Sequence, residues 1–501
     1  MIYKDLSVSL NRKAVTINAL WHSAASLFST GIRFLTIPIL VRILSPEDFG
    51  NVALAMAVLM FISTVLGNGG AVDTIVYFTK KRPHIFSTLF WFNLAVGMVL
   101  GVIVYLLSPA LTVWLNAPDA LPYIQALCML FPLLMIQSVY QGRLIAKMRF
   151  GYIAKISAVA STSATTLAVI LAFSGFGAWS LVIQHILMHL IQTIYFIRAS
   201  DIKPTQVFDV PTLKAFLPFY YKTSAYNTVM WAGDQAPLLL TSKVSGAANT
   251  GIYNMMSRTS SLPREVFGQG FMMSFFSGLS DSNAENESQS SQQNSLFWAI
   301  KLNLIVLGSI YALASVLAEP ITGLLLGEKF APHWQVFQWL CIGMLFISST
   351  GGFIGFLKGT GKIGLMTALS FLRTGLILLF TTLMWFNQYT VESIAVGFAL
   401  ANTILTIAYF MVMVTVLKFE FNALMSSIGS STLVLVSSTL LTYISHQFIH
   451  QLSPSHDFIS IIYGGSIFLA SYGLFSLIFA REDTINLSKT VQHQLTHRLG
   501  R

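Results

Sequence analysis

The sequence predicts an all-α integral membrane protein with about fourteen transmembrane helices. Of its 501 residues, 54% are hydrophobic and only 10% are charged, whereas a soluble domain has roughly 25% charged residues. At about 20 residues per span, this apolar content suffices for about thirteen or fourteen helices. The apolar segments alternate with short polar loops, and the longest loop predicted outside, from Ser108 to Ala120, is too short for a folded domain.

The apolar segments define the spans in order. Six precede the first polar break, at 14–41, 50–77, 86–107, 121–141, 152–173 and 178–198. Eight follow it, at 215–241, 249–279, 296–318, 334–357, 363–386, 391–417, 428–449 and 458–480. The break, from Arg198 to Lys214, contains two prolines and predicts an irregular connector. The segment from Asp281 to Ser295 is almost wholly polar and predicts a disordered tether.

Basic residues are distributed unevenly between the two sides of the predicted membrane. Twenty-one of the 29 Lys and Arg residues fall in the loops of one side, and only Arg42, Lys243 and Lys329 fall in the loops of the other. The positive-inside rule therefore predicts that both termini are cytoplasmic. The same distribution accounts for the net charge of +10 without a nucleic-acid partner.

An internal repeat divides the predicted spans into two parallel lobes. A shift of 201 residues aligns Gly50 with Gly251, and a shift of 213 aligns Cys128 with Cys341. We predict six-helix lobes at 1–200 and 215–420, joined by a connector at 201–214, with a polar cytoplasmic loop at 281–295, two further spans in 421–480 and a cytoplasmic tail at 481–501. Chance matching between apolar helices is the alternative. Parallel repeats are typical of secondary transporters, whose substrate site lies between the repeats near the midplane.

Ionisable residues inside the spans are the candidate site, because charges in a membrane are costly and usually face a cavity or a partner. Cations outnumber acids among them, which predicts a cavity for an anion, since guanidinium groups bind phosphate oxygens bidentately. The candidates for substrate binding are Arg33, Arg258, Arg264, Arg373 and Lys222. The candidates for ion coupling or ion pairing are Asp234, Glu265 and Asp73.

Structural explanations stay open for several of these charges. Asp234 and Arg258 could instead form a neutral structural ion pair, and so could Arg264 and Glu265. Lys222 is near enough to the cytoplasmic end of its span to extend its ammonium group to the lipid headgroups. Pro263 predicts a bend that lets Arg264 approach the cavity. The sequence has no GxxxxGK[ST] loop, HExxH motif or nucleophile elbow. We therefore expect no cofactor, no metal and no enzymatic activity, with H⁺ or Na⁺ as candidate coupling ions.

Three segments resemble those of a known family: Leu44–Gly50 (LSPEDFG), Met148–Lys155 (MRFGYIAK) and Gly175–Gln184 (GFGAWSLVIQ). They are similar to bacterial polysaccharide transporters of the flippase kind, in the multidrug/oligosaccharidyl-lipid/polysaccharide exporter superfamily. The resemblance implies translocation of an undecaprenyl-diphosphate-linked oligosaccharide across the bacterial inner membrane, for O-antigen, capsule or exopolysaccharide assembly. It also implies a cationic central cavity. The intramembrane arginines fit this cavity by the helices on which they lie, not by an exact sequence motif.

The sequence leaves three other functions open. A multidrug or organic-cation antiporter of the same superfamily would centre on Asp234 and Glu265. A membrane polymerase or glycosyltransferase is disfavoured by the short outer loops, and a non-transporting scaffold in the same assembly machinery is the third alternative. The expected partners are a polyprenyl-diphosphate-linked oligosaccharide, the lipid bilayer, and the polymerase and glycosyltransferases of the same pathway.

Overall fold

The computed structural model of the protein describes residues 31, 36–65, 69–79, 84–147, 149–268, 289–359, 362–388, 390–452 and 457–479. Every regular element in these ranges is helical, which confirms the predicted all-α class. Arg33, most of the predicted first span, the segment 269–288 and the predicted tail lie outside the described residues.

Residues Met1–Met255 form the first of two compact units. After a helical segment at 36–43, its helices are α1 (Pro46–Ser63), α2 (Gly69–Phe78), α3 (Ile85–Trp114), α4 (Leu121–Leu127), α5 (Leu130–Ala146), α6 (Phe150–Phe173), α7 (Trp179–Ala199) and most of α8 (Val210–Pro263). A capping box starts α1: the Asp48 N–H donates to Ser45 Oγ at 3.1 Å, and the Ser45 N–H donates to the Asp48 carboxylate at 2.9 Å.

Residues Met256–Arg501 form the second unit. The end of α8 continues there as a π-helical turn, Arg264–Gly268. The helices that follow are α9 (Gln289–Asn303), α10 (Ser309–Val316), α11 (Ala318–Leu326), α12 (Trp334–Ser349), α13 (Gly351–Gly359), α14 (Ile363–Gln388), α15 (Val391–Thr415), α16 (Phe421–Leu452) and α17 (Asp457–Phe479). A second π-helical turn, Leu304–Gly308, joins α9 to α10.

The number of membrane-capable helices is lower than the predicted fourteen. The described residues contain ten helices that are long and apolar enough to cross a membrane, or eleven if the bent pair Pro118–Leu127 and Leu130–Ala146 is one span. α8 is not among them, although it occupies predicted spans seven and eight. It carries Lys222, Asp234 and Arg258, which lower its apolarity. The count of fourteen stays a prediction, and the chain is a multi-pass membrane protein.

Two predicted segments differ locally from the structure. The predicted second span contains α1 and α2, and residues 66–68 between them lie outside the described residues. α8 is kinked at Gly246, whose φ is 78°, so its first arm (210–245) and second arm (247–263) are separate helices. Residues 289–295, which the sequence predicts as part of a disordered tether, are helical. They form the polar start of α9, whose remaining residues are mostly apolar.

A buried polar cluster fixes the first arm of α8 within the first unit. Tyr220 and Asn93 are both fully buried, and the Tyr220 hydroxyl donates to Asn93 Oδ1 at 3.0 Å. The Asn93 amide in turn lies 3.3 Å from the Met135 carbonyl oxygen and 3.4 Å from Ser138 Oγ. Since buried polar groups are costly unless paired, this cluster joins α3, α5 and α8 in one register. The boundary between the two compact units falls inside α8, and the predicted division into two six-helix lobes stays a prediction.

Contacts between loops agree with the alternation of sides that the sequence predicts. Two contacts each join two segments that are predicted to lie outside. In the first unit, the Ser242 hydroxyl donates to the Leu115 carbonyl at 2.7 Å. In the second unit, His333 Nδ1 lies 3.1 Å from Glu392 Oε1. Of those predicted inside, the Thr205 N–H donates to Ser87 Oγ at 3.0 Å. Which group of loops faces the cytoplasm stays a prediction.

One ion-pair cluster ties the connector to the inner end of α5. The Asp201 carboxylate accepts a hydrogen bond from Lys147 and lies 3.6 Å from Arg143. The hydrogen bond from Lys147 is the largest cause that holds the pKa of Asp201 below its usual value. A depressed folded-state pKa contributes stability above the unfolded-state pKa of about 3.9, and this contribution is lost as the pH falls through the folded-state value.

Replacing Asp201 by asparagine should therefore lower the thermal unfolding midpoint slightly at pH 7 and have no effect at the acid end. The pair is solvent-exposed, so the cost should stay below about 1 kcal/mol. Unfolding of the purified protein followed from pH 7 to pH 3 checks this, with Asp119→Asn as a matched exposed control. A difference between wild type and Asp201→Asn that grows towards low pH would contradict the assignment.

Candidate functional site

The candidate charges that the structure describes lie on accessible surfaces rather than in the packed cores. Asp73, Lys222, Asp234, Arg258 and Arg264 are exposed, while Glu265 and Arg373 are half-buried. Asp73, Asp234, Arg258, Glu265 and Arg373 each interact with another group, so none of these five is an isolated charge. Arg33 lies outside the described residues, and its role stays a prediction.

In the first unit, the helices that carry Asp73 and Lys222 are in contact. A Cβ at Gly70 on α2 would overlap the Tyr220 carbonyl of α8. About two turns further along α2, the Tyr77 and Phe219 rings stack with centroids 4.9 Å apart. Asp73 lies between these two contacts on α2, whereas Lys222 follows both of them on α8. The structure therefore brings together the helices of two candidates that are far apart in the sequence.

In the second unit, the end of α8 places Arg258 and Glu265 around one hydroxyl group. Ser261 Oγ lies 2.9 Å from the Arg258 carbonyl oxygen and 3.1 Å from Glu265 Oε1. The contact to Arg258 is with its backbone carbonyl, so the predicted shared face of the Arg258 and Glu265 side chains stays a prediction. The hydroxyl donor positions the carboxylate beside the arginine-bearing turn.

The predicted bend at Pro263 takes a different form in the structure. The α-helix ends at Pro263 and continues as the π-helical turn Arg264–Gly268. The Arg264 N–H donates to the Tyr311 hydroxyl at 3.2 Å, and Tyr311 is fully buried on α10. This bond anchors the turn by its backbone, so the Arg264 side chain stays exposed. π-Helical turns are frequent at functional sites.

These exposed charges lie within predicted membrane spans, so their surroundings can be inferred from the cost of exposing a charge to lipid. An exposed surface of a membrane helix faces either lipid or water, and a charge at the bilayer centre costs about 2.5–3.5 kcal/mol even on the lowest scales. Exposed Asp73, Asp234 and Arg258 therefore favour a water-filled pathway over a lipid-facing surface. Among the described residues, no group of three or more His, Cys, Asp or Glu could hold a metal ion.

Sequence reasoning missed two features of this region. The Asn93–Tyr220 hydrogen bond joins α3 to α8, and no spacing pattern indicates it. The Lys243 ammonium donates to the Trp114 carbonyl at 2.7 Å and lies 5.4 Å from the Trp114 ring centroid. The sequence analysis counted Lys243 only as an outer-loop charge, although a basic residue at a helix C-terminus is a known stabilising pattern.

Exchanging the charges of Asp73 and Lys222 tests whether the two side chains interact. Asp73→Lys and Lys222→Asp should each reduce transport, and the double variant should regain part of the loss, with a coupling energy of about 0.5–3 kcal/mol. Transport per unit of membrane-inserted protein measures the effect, and Asp119→Lys is the matched exposed control. Simple additivity of the two single losses would show that the two charges do not act together.

Comparison with known proteins shows that the chain is similar to proteins of polysaccharide biosynthesis. A family profile described as "Polysaccharide biosynthesis protein" matches residues 39–335. The succinoglycan biosynthesis transport protein ExoT of Rhizobium meliloti (strain 1021) is 27% identical over 357 residues, covering 71% of this chain and 72% of the relative. The lipopolysaccharide biosynthesis protein WzxC of Escherichia coli (strain K12) is 22% identical over 351 residues, covering 70% of each chain.

Solved structures show a shared fold at low sequence identity. The structure described as "Lipid II flippase MurJ, inward closed conformation" superposes with a TM-score of 0.74 at 14% identity, covering 94% of this chain and 99% of that one. An inward-facing multidrug resistance MATE family transporter superposes with a TM-score of 0.61 at 15% identity, covering 79% and 93%. At these identities the likeness shows the fold alone.

Proposed function

The chain belongs to the polysaccharide biosynthesis protein family, and from that premise we propose that it is a flippase for a lipid-linked oligosaccharide. The substrate would be a polyprenyl-diphosphate-linked oligosaccharide that crosses the bacterial inner membrane by alternating access, for surface polysaccharide assembly. The named relatives support this class, because ExoT is described as a transport protein of succinoglycan biosynthesis. None of the relatives or structures named above is described as an enzyme.

One observation carries the proposal: charged side chains are exposed on α2 and α8, within segments that the sequence predicts as membrane spans. A diphosphate and a hydroxyl-rich glycan cannot enter hydrocarbon without losing their hydration. A pathway lined by exposed charges supplies replacement contacts, while the polyprenyl tail remains in lipid. The arginines suit the diphosphate, because a guanidinium group donates two parallel hydrogen bonds to phosphate oxygens.

Each described charge has a role in this proposal. Arg258, Arg264 and Arg373 bind the diphosphate, and Lys222 adds positive charge near the cytoplasmic entry. Asp73, on a helix that contacts the helix of Lys222, and Glu265, which accepts a hydrogen bond from the Ser261 hydroxyl, would neutralise these cations when the substrate is absent. The same carboxylates are the candidates for coupling to H⁺ or Na⁺, together with Asp234 on the first arm of α8.

Deletion of the gene tests the proposal against the antiporter alternative, whose fold is the same. We expect surface polysaccharide to be lost, lipid-linked oligosaccharide to accumulate in the inner membrane, and susceptibility to organic cations to stay unchanged. Plasmid-borne wild type should restore the polymer. Normal surface polysaccharide together with altered susceptibility to organic cations would overturn the flippase proposal in favour of a drug antiporter.

A further inference from the structure

A buried polar cluster joins α5 and α7 inside the first unit, halfway along α7. His189 and Gln137 are each 8% exposed, and Thr193 is 3% exposed. His189 Nδ1 lies 3.1 Å from Gln137 Oε1, and the Gln137 amide donates to Gln192 Oε1 at 2.8 Å. Because α7 is long and apolar enough to cross a membrane, the cluster lies within a span.

This hydrogen-bond chain fixes which ring nitrogen of His189 carries the hydrogen. Gln137 donates its amide hydrogen to Gln192, so its oxygen is the atom that accepts from the Nδ1–H of His189. The neutral ring then presents Nε2 as an acceptor. Nε2 is buried and has no hydrogen-bond partner among the described residues, although buried polar groups are nearly always paired. The cluster therefore holds a buried lone pair that can bind a proton.

Thr193 gives a second, independent observation one turn further along α7. Its hydroxyl is also buried without a hydrogen-bond partner in the part of the chain that the structure describes. By contrast, the buried Thr241 hydroxyl donates to the carbonyl oxygen four residues back, at 2.7 Å. Positions four residues apart lie on one face of a helix, so both unpaired groups belong to the same side of α7. Two such groups on one face indicate a site for a small polar species.

The described charges around α7 give His189 no fixed counterion. α7 packs against α6, α5, α4 and α1. The titratable groups of these helices and of α7 itself are Glu47, Asp48, Tyr123, Tyr140, Arg143, Tyr152, Lys155, His185, Tyr195 and Arg198. Within the described residues, none of them forms a hydrogen bond or an ion pair with the His189 ring. A proton that binds the ring therefore brings a charge that a change in the surroundings must compensate, which links protonation to conformation.

The chemistry of the site favours H⁺ over Na⁺. Imidazole is the side chain whose ordinary charge change falls nearest to neutral pH. Hard metal cations are held by several oxygen ligands, whereas the unpaired atoms of this cluster are a ring nitrogen and one hydroxyl oxygen. The coupling candidates from the sequence, Asp73, Asp234 and Glu265, are exposed or half-buried carboxylates that each interact with another group. His189 differs from all three in being buried with one ring nitrogen unpaired.

We propose that His189 is the proton-binding residue that couples transport to the pH gradient, with Gln137 as its positioning residue. In each cycle, Nε2 takes one proton from water on one side of the membrane and returns it to water on the other, while Nδ1–H stays bonded to Gln137. Because Nε2 is buried, this exchange requires the contact between α5 and α7 to open. The inference rests on the proposed function, because coupling presupposes a transported substrate, and it names the coupling ion and its site.

A pH gradient across liposomes tests the coupling. Purified protein is reconstituted with a fluorescent polyprenyl-diphosphate oligosaccharide, the membrane potential is clamped at zero, and the steady-state ratio of the lipid between the two leaflets is measured. With one proton moved per lipid, a gradient of one pH unit should shift this ratio about tenfold in wild type. His189→Gln, which keeps a polar side chain but cannot take up the proton, should give the same ratio with and without the gradient.

Variants of the same two helices serve as controls. His185→Gln removes the other histidine of α7 and should keep the tenfold response. Gln137→Leu removes the acceptor of Nδ1–H and should move the pH at which the response is half-maximal without abolishing it. If His189→Gln does not reach the membrane, His189→Asn replaces it. A gradient response that survives in a folded His189 variant, or that is lost equally in His185→Gln, would overturn the inference and leave the carboxylates as coupling candidates.

The same liposomes separate this inference from the proposed function. If wild type moves the lipid but its ratio follows a Na⁺ gradient, or no gradient at all, the proton site is refuted and the flippase stands. If wild type moves no lipid, the flippase is refuted, and proton uptake followed with a trapped pH dye tests His189 alone. Uptake that His189→Gln abolishes would then support the proton site, and equal uptake in both proteins would refute it.

Discussion

Replacing Arg258 by alanine should reduce surface polysaccharide export by about tenfold or more at equal levels of membrane-inserted protein. A hydrogen bond to a charged group contributes about 1.5–3 kcal/mol, and this corresponds to a change in binding of about 10- to 150-fold. Arg258 is exposed on the turn before Ser261 and Glu265, where the loss of the guanidinium leaves the carboxylate facing an anionic headgroup. Polymer per cell, normalised to protein in the membrane, measures the effect.

The conservative change and a matched control make this result specific. Arg258→Lys keeps the charge but loses the bidentate geometry, so its export should fall between those of wild type and Arg258→Ala. Arg198→Ala removes an exposed arginine at the end of α7, where Arg198 lies 6.0 Å from the Tyr195 ring centroid, and export should stay normal. Equal export from Arg258→Ala and Arg198→Ala would remove Arg258 from the substrate site.

Replacing Asn93 by alanine should destabilise the protein by about 2–4 kcal/mol, because the change removes the carbonyl oxygen that accepts the hydrogen bond of the buried Tyr220 hydroxyl and creates a small cavity. Asn93 and Tyr220 are fully buried, so water does not compensate at once. The unfolding free energy of the protein in lipid nanodiscs measures the effect. Tyr220→Phe removes one hydroxyl and should cost less, about 1 kcal/mol.

A double variant isolates the Asn93–Tyr220 bond from the cavity. Because the two side chains are directly bonded, at 3.0 Å, the costs of Asn93→Ala and Tyr220→Phe should not add. The double variant should be less destabilised than the sum of the singles predicts. Additive costs would show that the hydrogen bond contributes nothing to the docking of α8 on α3.

The sequence predicted the all-α membrane class well, because hydropathy directly indicates which segments are apolar enough to lie in lipid. It predicted α8 less well, because Lys222, Asp234 and Arg258 lower the apolarity of a helix whose exposed surface we assign to a polar pathway. The sequence did not predict a helix at Gln289, because residues 289–295 are polar and become helical only as the first turns of α9, whose later residues are apolar.

The candidate site was predictable in composition but not in arrangement. Hydropathy placed Asp73, Lys222 and Arg258 inside spans, yet the face that each presents depends on packing between helices far apart in sequence. The helices that carry Asp73 and Lys222 meet at the Gly70 and Tyr77 contacts, and spacing along the chain carries no sign of this. The 201-residue shift did indicate that Gly50 and Gly251 are equivalent. That equivalence alone did not show that a Cβ at Gly50 would lie 2.9 Å from the backbone nitrogen of Gly251.

Movement of a defined substrate across a bilayer tests the central claim most directly. Purified protein in liposomes is given a fluorescent polyprenyl-diphosphate oligosaccharide in one leaflet, and its arrival in the other leaflet is followed by quenching with a membrane-impermeant reductant. We expect wild type to equilibrate the lipid, Arg258→Ala to be slower by about tenfold or more, and an organic cation not to be carried. Transport of the cation without movement of the lipid would contradict the account.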